Sequence, residues 1–186
     1  MNLKEIVSYF KMENFDMRYV IRGLIDGSLS SLGVIIGASG GEVSIIIAAG
    51  IGGGVANGIS NILGALTAER AILESIRASQ EKVLLRKEGS LKSSTTYRDA
   101  LNKTTVSGIW DGLSTIFGSI IPVTPFLFLP KDLAIYSAII ITMAILFTLG
   151  IFIGKMSKEN IIMAGFKMAL VGLMVALISF AIENML

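Results

Sequence analysis

Five apolar stretches dominate this sequence, and each is long enough to cross a lipid bilayer as a helix, which needs about 20 mostly apolar residues. The stretches are Tyr19 to Gly40, Val43 to Leu66, Val106 to Leu129, Leu133 to Gly154 and Asn160 to Ile182. Pro122 and Pro125 are expected to break or kink the third stretch near its end. A mean hydropathy of +0.73 and 53% apolar residues also favour a lipid surrounding. The sequence therefore predicts an all-α integral membrane protein with five transmembrane helices.

Basic residues predict the orientation of these helices, because lysine and arginine accumulate on the cytoplasmic side of membrane proteins. Eight basic residues lie between Arg70 and Lys103, after the second stretch, whereas the opposite side contains Lys131 alone. The other basic residues at the predicted cytoplasmic ends are Lys4, Lys11, Arg18, Arg22, Lys155 and Lys158. We therefore expect a cytoplasmic N-terminus, a C-terminus outside and a place in the cell membrane. The first residues lack the apolar run of a signal peptide and are expected to form an amphipathic lead-in.

The same pattern divides the chain into three parts. Residues 1–66 contain the lead-in and the first two spans, residues 67–105 form a cytoplasmic helical insert, and residues 106–186 contain the last three spans. Within the insert, Thr67 to Glu88 have apolar residues at helical spacing and are predicted to continue the second span into water. Gly89 and Ser90 are expected to end that helix. Leu91 to Lys103 are rich in serine and threonine and are expected to be a connector, with room for a short helix.

An aspartate followed by glycine occurs near the start of both the first and the third span. Residues 21–37 and 106–122 align with 6 identities in 17 positions, including Asp26 with Asp111. One span lies between the two copies, so both copies cross the membrane in the same direction. The alignment predicts a parallel hairpin repeat, in which spans one and two match spans three and four. The fifth span is then an addition.

Glycines recur at helical spacing within the spans, as at Gly50, Gly54 and Gly58. In lipid, small residues let helix backbones approach closely, because helix association there depends on packing. These faces predict a dense helix bundle and carry little information about a substrate.

The two aspartates are the first candidates for a functional site. A carboxylate inside a span costs about 2.5–3.5 kcal/mol on insertion scales, so it needs water, a partner or a cation. Asp26 has Arg22 one turn earlier as a possible partner, whereas Asp111 has Ser107 at the matching position. We interpret Asp26 and Asp111 as cation- or proton-binding residues. Asn57 and Asn61 lie one turn apart on the second span, and either amide oxygen is a further candidate ligand, with an interhelical hydrogen bond as the alternative.

Acidic residues of the insert are a second group of candidates. Glu69, Glu74 and Glu81 could gather cations at the cytoplasmic side, with Glu74 and Glu81 spaced by seven residues. The alternative is a solvated helix laced with salt bridges, since arginines and lysines lie within one turn of these acids. The chain contains no histidine and no cysteine, so a metal would need oxygen or thioether ligands. Thioether candidates in the spans are Met143, Met163, Met168 and Met174.

These motifs resemble the vacuolar iron transporter family of divalent-cation transporters. The resemblance rests on Asp26-Gly27 after an arginine, on Asp111-Gly112-Leu113-Ser114 leading to Gly118, and on the Pro122-x-x-Pro125-Phe126 ending of the third span. Five spans with an insert after the second complete it. The resemblance implies a homodimer that exchanges Fe²⁺ or Mn²⁺ for protons and carries metal between the first two spans. It also implies that Asp26 is a metal ligand, with the cation as substrate and with no resident cofactor.

Two departures from that family concern metal selectivity. The family's second span reads Ser-Met-x-x-Gly-Glu-Tyr, whereas this chain has Asn61 and Ala65 in place of the methionine and the glutamate. An amide oxygen favours harder metals than a thioether does. The cytoplasmic insert is also shorter than in the iron transporters.

Other classes of function stay open beside the transporter. One is a membrane scaffold or assembly protein without transport. Another is a Mg²⁺-dependent lipid phosphotransferase, which would need more acidic residues after Asp26 or Asp111 than the sequence provides. The net charge of +2 does not favour a nucleic acid as partner. The sequence thus favours a divalent-cation transporter, with the lipid bilayer, protons and a second copy as partners.

Overall fold

A computed structural model describes residues 17–185, in which the secondary structure is helical. The α-helices are α1 (Met17–Gly37), α2 (Val43–Gly64), α3 (Arg70–Val83), α4 (Thr95–Val123), α5 (Lys131–Ser157) and α6 (Ile161–Glu183). Five helical segments are long and apolar enough to cross a membrane, which confirms the predicted all-α membrane fold. The amphipathic lead-in, up to residue 16, lies outside the described residues.

The second span continues well beyond the length of a bilayer. A π-helical turn, Ala65–Glu69, joins α2 to α3, so that one helix of 41 residues runs from Val43 to Val83. At 1.5 Å per residue this helix is about 60 Å long, twice the thickness of the hydrocarbon core. Its charged half from Glu69 onward therefore lies outside the apolar span. The predicted helical continuation of the second span is present, but it ends at Val83 and not at Glu88.

The segment from Leu91 to Lys103, predicted to be a connector with room for a short helix, is helical from Thr95 onward. Helix α4 begins at Thr95 and runs without interruption into the third span. Ser94 caps it, because the Ser94 hydroxyl accepts a hydrogen bond from the Tyr97 backbone N–H at 3.3 Å. The serine and threonine residues that suggested a loop instead start a helix. The turn between the two long helices contains Leu85 and Gly89, both with positive φ, at 51° and 81°.

Glycines bring the spans into backbone contact, as their spacing predicts. Helix α1 packs most extensively on α4. A Cβ added to Gly118 of α4 would lie 2.6 Å from the carbonyl oxygen of Leu24 in α1, closer than real Cβ contacts. A Cβ on Gly58 of α2 would lie 2.6 Å from the carbonyl oxygen of Gly112 in α4. Helix α4 is therefore the centre of the bundle, held against both α1 and α2.

The end of α4 shows the predicted interruption. The helix passes through Pro122, ends at Val123 and gives way to a 3₁₀ turn, Thr124–Leu127. The two helices that carry the Asp-Gly pattern, α1 and α4, lie side by side. The parallel hairpin repeat and the cytoplasmic position of the insert stay predictions.

Candidate functional site

A cavity of about 650 Å³ lies at the end of the bundle from which the charged helix projects. Helices α1, α2 and α5 border it. Its polar lining includes Asp26, Asn61 and Arg22, and Ile25 and Leu29 belong to its apolar wall. Asp26 and Asn61, two of the candidate residues from the sequence, therefore line the same cavity.

The Asn61 side chain connects α2 to both neighbouring helices. Its Nδ2 donates to Asp26 Oδ2 at 2.7 Å and to Thr115 Oγ1 at 2.9 Å. The Thr115 hydroxyl in turn donates to the backbone carbonyl of Asp111 at 2.9 Å. The amide nitrogen thus faces the carboxylate, and rotation about the terminal torsion of Asn61 would turn its oxygen toward a cation on Asp26.

A second polar contact between α1 and α2 lies one helical turn farther from the cavity mouth. Asn57 Nδ2 donates to Ser30 Oγ at 3.2 Å, and the Ser30 hydroxyl donates to the Gly27 carbonyl at 3.2 Å. All four residues of the two contacts are half-buried. We call Asp26, Asn61, Ser30 and Asn57 the polar ladder. The sequence pattern indicated Asn57 through its spacing from Asn61, whereas Ser30 is an ordinary small residue of a glycine- and serine-rich helix and gave no signal.

Arg22, the possible partner of Asp26, pairs with a different carboxylate. Arg22 forms an ion pair with Asp111 of α4 and not with Asp26 of its own helix. The side chain of Asp111 is fully buried and does not border the cavity. The cause is the contact of α1 with α4, where Gly23 lies against the Asp111 carbonyl and brings the two helices together. A buried carboxylate would be unstable without this partner.

The acidic residues of the insert take part in contacts of their own. Glu69 accepts hydrogen bonds from the Tyr19 hydroxyl at 3.0 and 3.1 Å. Glu74 accepts from Arg77 at 2.9 Å and from the Tyr97 hydroxyl. These bonds agree with the alternative of a salt-bridged helix. Within residues 17–185 there is no group of three or more acidic side chains that could hold a metal ion.

Glu81 closes the turn between the two long helices. Its carboxylate is only 2% exposed and accepts from Arg77 at 2.5 Å and from the backbone N–H groups of Gly89 at 2.9 Å and Leu91 at 2.8 Å. Burial raises the pKa of Glu81, but the hydrogen bonds from Leu91, Gly89 and Arg77 outweigh burial and leave the pKa below its ordinary value. Glu81 therefore has a structural task at this turn.

One cavity residue escaped the sequence reasoning. Met156, in the last turn of α5, lines the cavity together with Asp26 and Asn61. Its thioether is a soft metal ligand. The sequence offered only one signal, the position of Met156 beside Lys155 at the predicted cytoplasmic end of the fourth span, and the other methionines obscured it.

Comparison with known proteins gives two matches. The sequence pattern of the VIT family matches residues 70–184 of this chain. An uncharacterized protein from Methanocaldococcus jannaschii is 55% identical over 184 residues, which cover 98% of this chain and 96% of that protein. The family match includes α4, α5 and α6 and begins in the helical extension of the second span.

Proposed function

The chain belongs to the VIT family, and on this premise we propose that it transports divalent transition-metal cations, Fe²⁺ or Mn²⁺, across the membrane in exchange for protons. The observation that carries this proposal is the Asp26 carboxylate beside the Asn61 amide in a cavity at one end of the bundle. A carboxylate and an amide oxygen are hard ligands suited to such cations.

The geometry supports a sequence of binding steps. A hydrated cation enters the cavity, exchanges part of its water for the Asp26 carboxylate, and displaces the amide nitrogen of Asn61. The Asn61 side chain then rotates and presents its oxygen. Met156 supplies a thioether at the same cavity, which favours Fe²⁺ over cations that accept only oxygen. Protons that neutralise Asp26 release the cation.

The polar ladder provides the next position for the cation. Ser30 and Asn57 lie one turn farther from the mouth, between the same two helices. Their oxygens can replace the ligands that the cation loses when it leaves Asp26. In a bilayer, polar groups at this depth occur where they line a cavity or contact protein. The ladder therefore supports a route between α1 and α2.

A second copy of the chain would cover this route, and we propose a homodimer for that reason. The ladder residues are only half-buried in one chain. The neighbouring face of α2 exposes small residues at intervals of four, namely Gly52, Ala56, Ser60 and Gly64. Such stripes allow close helix contact in membranes. Asn57 follows Ala56, so it lies about 100° around the helix from the stripe, next to a partner packed there.

Flux measurements in proteoliposomes test the proposal. We expect Mn²⁺ and Fe²⁺ uptake that increases with a pH gradient, and a rise in melting temperature when Mn²⁺ is added. Asp26→Asn should abolish both effects, because it removes the charged ligand. Asp99→Asn is the matched control, since it removes an exposed carboxylate of α4 distant from the cavity.

A membrane scaffold without transport predicts a different result. In that case Mn²⁺ would not stabilise the wild-type protein, and Asp26→Asn would behave like Asp99→Asn. Flux of Mn²⁺ that is unchanged in Asp26→Asn would refute the assigned binding site.

A further inference from the structure

Arg22 stands between the two carboxylates that the sequence singles out. It precedes Asp26 by one turn on α1 and lines the same cavity. Its guanidinium reaches across to Asp111 on α4 and lies over the ring of Tyr19, 4.8 Å from the ring centre. The Arg22 side chain is 56% exposed, whereas that of Asp111 is 0% exposed. The guanidinium is thus paired with a buried carboxylate, and a more open carboxylate lies one turn away on its own helix.

The ion pair of Arg22 with Asp111 is incomplete. Arg22 contacts one carboxylate oxygen, while the other, Oδ1, is buried and has no hydrogen-bond partner among the described residues. Ser107 Oγ, one turn earlier on α4, is buried and lacks a partner in the same part of the chain. Arginine–carboxylate ion pairs frequently use both carboxylate oxygens, and a buried oxygen without a hydrogen bond costs free energy. The contact is therefore poorly suited to a purely structural role.

Asp26 is the acidic residue in the lining of the cavity that Arg22 borders. Residues four apart on a helix face each other, and a guanidinium matches a carboxylate in shape and charge. An Arg22 side chain released from Asp111 would therefore bind Asp26 and occupy the place of a cation.

We propose that Arg22 is a specificity residue of the transport site and that Asp111 is the positioning residue that holds it away from Asp26. This inference rests on the proposed function. Arg22 competes for Asp26 as a tethered monovalent cation. A divalent cation has the charge to win this competition, whereas Na⁺ and K⁺ do not. Asp111 then acts through Arg22 and does not bind the metal.

Epistasis between two substitutions tests the inference. Mn²⁺ binding is measured by titration calorimetry, and Mn²⁺ flux in proteoliposomes gives KM and the maximal rate. Asp111→Asn frees Arg22, so we expect Kd and KM for Mn²⁺ to rise about tenfold, with a much smaller change in the maximal rate. The double variant with Arg22→Gln and Asp111→Asn should return both constants to the wild-type values or below. Asp99→Asn is the matched control and should leave them unchanged.

The double variant also guards against failure to fold. Arg22→Gln alone leaves the buried Asp111 without its partner, whereas the double variant removes both charges together. If the wild-type protein binds Mn²⁺, and Asp111→Asn and the double variant lose this binding equally, the inference is overturned and Asp111 is a ligand. A lower melting temperature with unchanged Kd in Asp111→Asn would also overturn it. A wild-type protein that neither binds nor carries Mn²⁺ or Fe²⁺ would overturn the proposed function itself, and the inference with it.

Discussion

Thr115 orients the Asn61 amide at the proposed cation site. Its hydroxyl accepts from Asn61 Nδ2 and donates to the Asp111 carbonyl, both at 2.9 Å. Thr115→Val keeps the side-chain shape in this fully buried position but removes the acceptor. The bond to Thr115 holds the amide nitrogen toward Asp26, so its loss makes the rotation that presents the Asn61 oxygen less costly. We therefore expect KM for Mn²⁺ to fall about fivefold, which corresponds to one hydrogen bond of roughly 1 kcal/mol. The measurement is Mn²⁺ flux in proteoliposomes at several concentrations.

Thr105→Val provides the control for Thr115→Val. Thr105 lies on the same helix and makes the same kind of bond, to the Leu101 carbonyl at 2.9 Å, but it does not contact Asn61. An equal change in KM in both variants would show that a threonine hydroxyl on α4 acts through helix stability and not through Asn61.

Sequence reasoning identified the site residues better than their partners. Asp26 and Asn61 were selected because polar groups inside an apolar span need a reason to be there, and the structure brings them into contact at 2.7 Å. Local spacing suggested Arg22 as the partner of Asp26. Arg22 in fact pairs with Asp111, which is 89 positions away in the sequence. Which carboxylate receives Arg22 depends on how closely the glycines of α1 approach α4, and a single sequence does not contain that distance.

Among the helices, the apolar spans followed from the sequence, and the turn between the two long helices did not. Hydropathy and length identify a span because every backbone polar group in lipid must be paired within a helix. The segment from Leu84 to Ser94 obeys no such rule. There the buried Glu81 carboxylate accepts hydrogen bonds from the backbone N–H groups of Gly89 and Leu91. The sequence leaves Glu81 open between cation gathering and a salt-bridged helix, and it does not indicate this contact with the turn.

This turn should respond to acid. The folded pKa of Glu81 lies below its ordinary value of 4.5, so its stabilisation is fully present above pH 4.5 and is lost as the pH falls through the folded pKa. We expect the protection of the amides of residues 84–94 against hydrogen exchange, measured relative to the unfolded rate at each pH, to be high at neutral pH and to fall in acid. Glu81→Gln should exchange fast already at neutral pH, because the Arg77 guanidinium and two N–H groups lose the carboxylate.

Glu88→Gln is the control for the acid response, because Glu88 is exposed on the same turn. Its amides should be protected like those of the wild-type protein at neutral pH and lose that protection in the same acid range. Slow exchange at neutral pH in Glu81→Gln would contradict the structural task assigned to Glu81.

For the protein as a whole, the proposed homodimer depends on the exposed stripe of small residues on α2. Ala56→Leu places a branched side chain at the centre of that stripe without disturbing a contact within one chain, since Ala56 is exposed. We expect a monomer in detergent by light scattering, and a loss of most Mn²⁺ flux. Ala144→Leu, the same change at an exposed position of α5, should stay dimeric. A dimeric and active Ala56→Leu protein would place the partner elsewhere.

The orientation in the membrane can be tested with single cysteines, because the natural chain has none and gives no background. Ser93→Cys lies in the exposed turn of the insert, and Met185→Cys lies at the other end of the bundle, after α6. The basic residues predict the insert inside the cell and the C-terminus outside. A membrane-impermeant maleimide should therefore label Met185→Cys in intact cells and Ser93→Cys only after permeabilisation. Labelling of both variants in intact cells would contradict an odd number of spans, and the reverse pattern would invert the direction in which a cation enters the cavity.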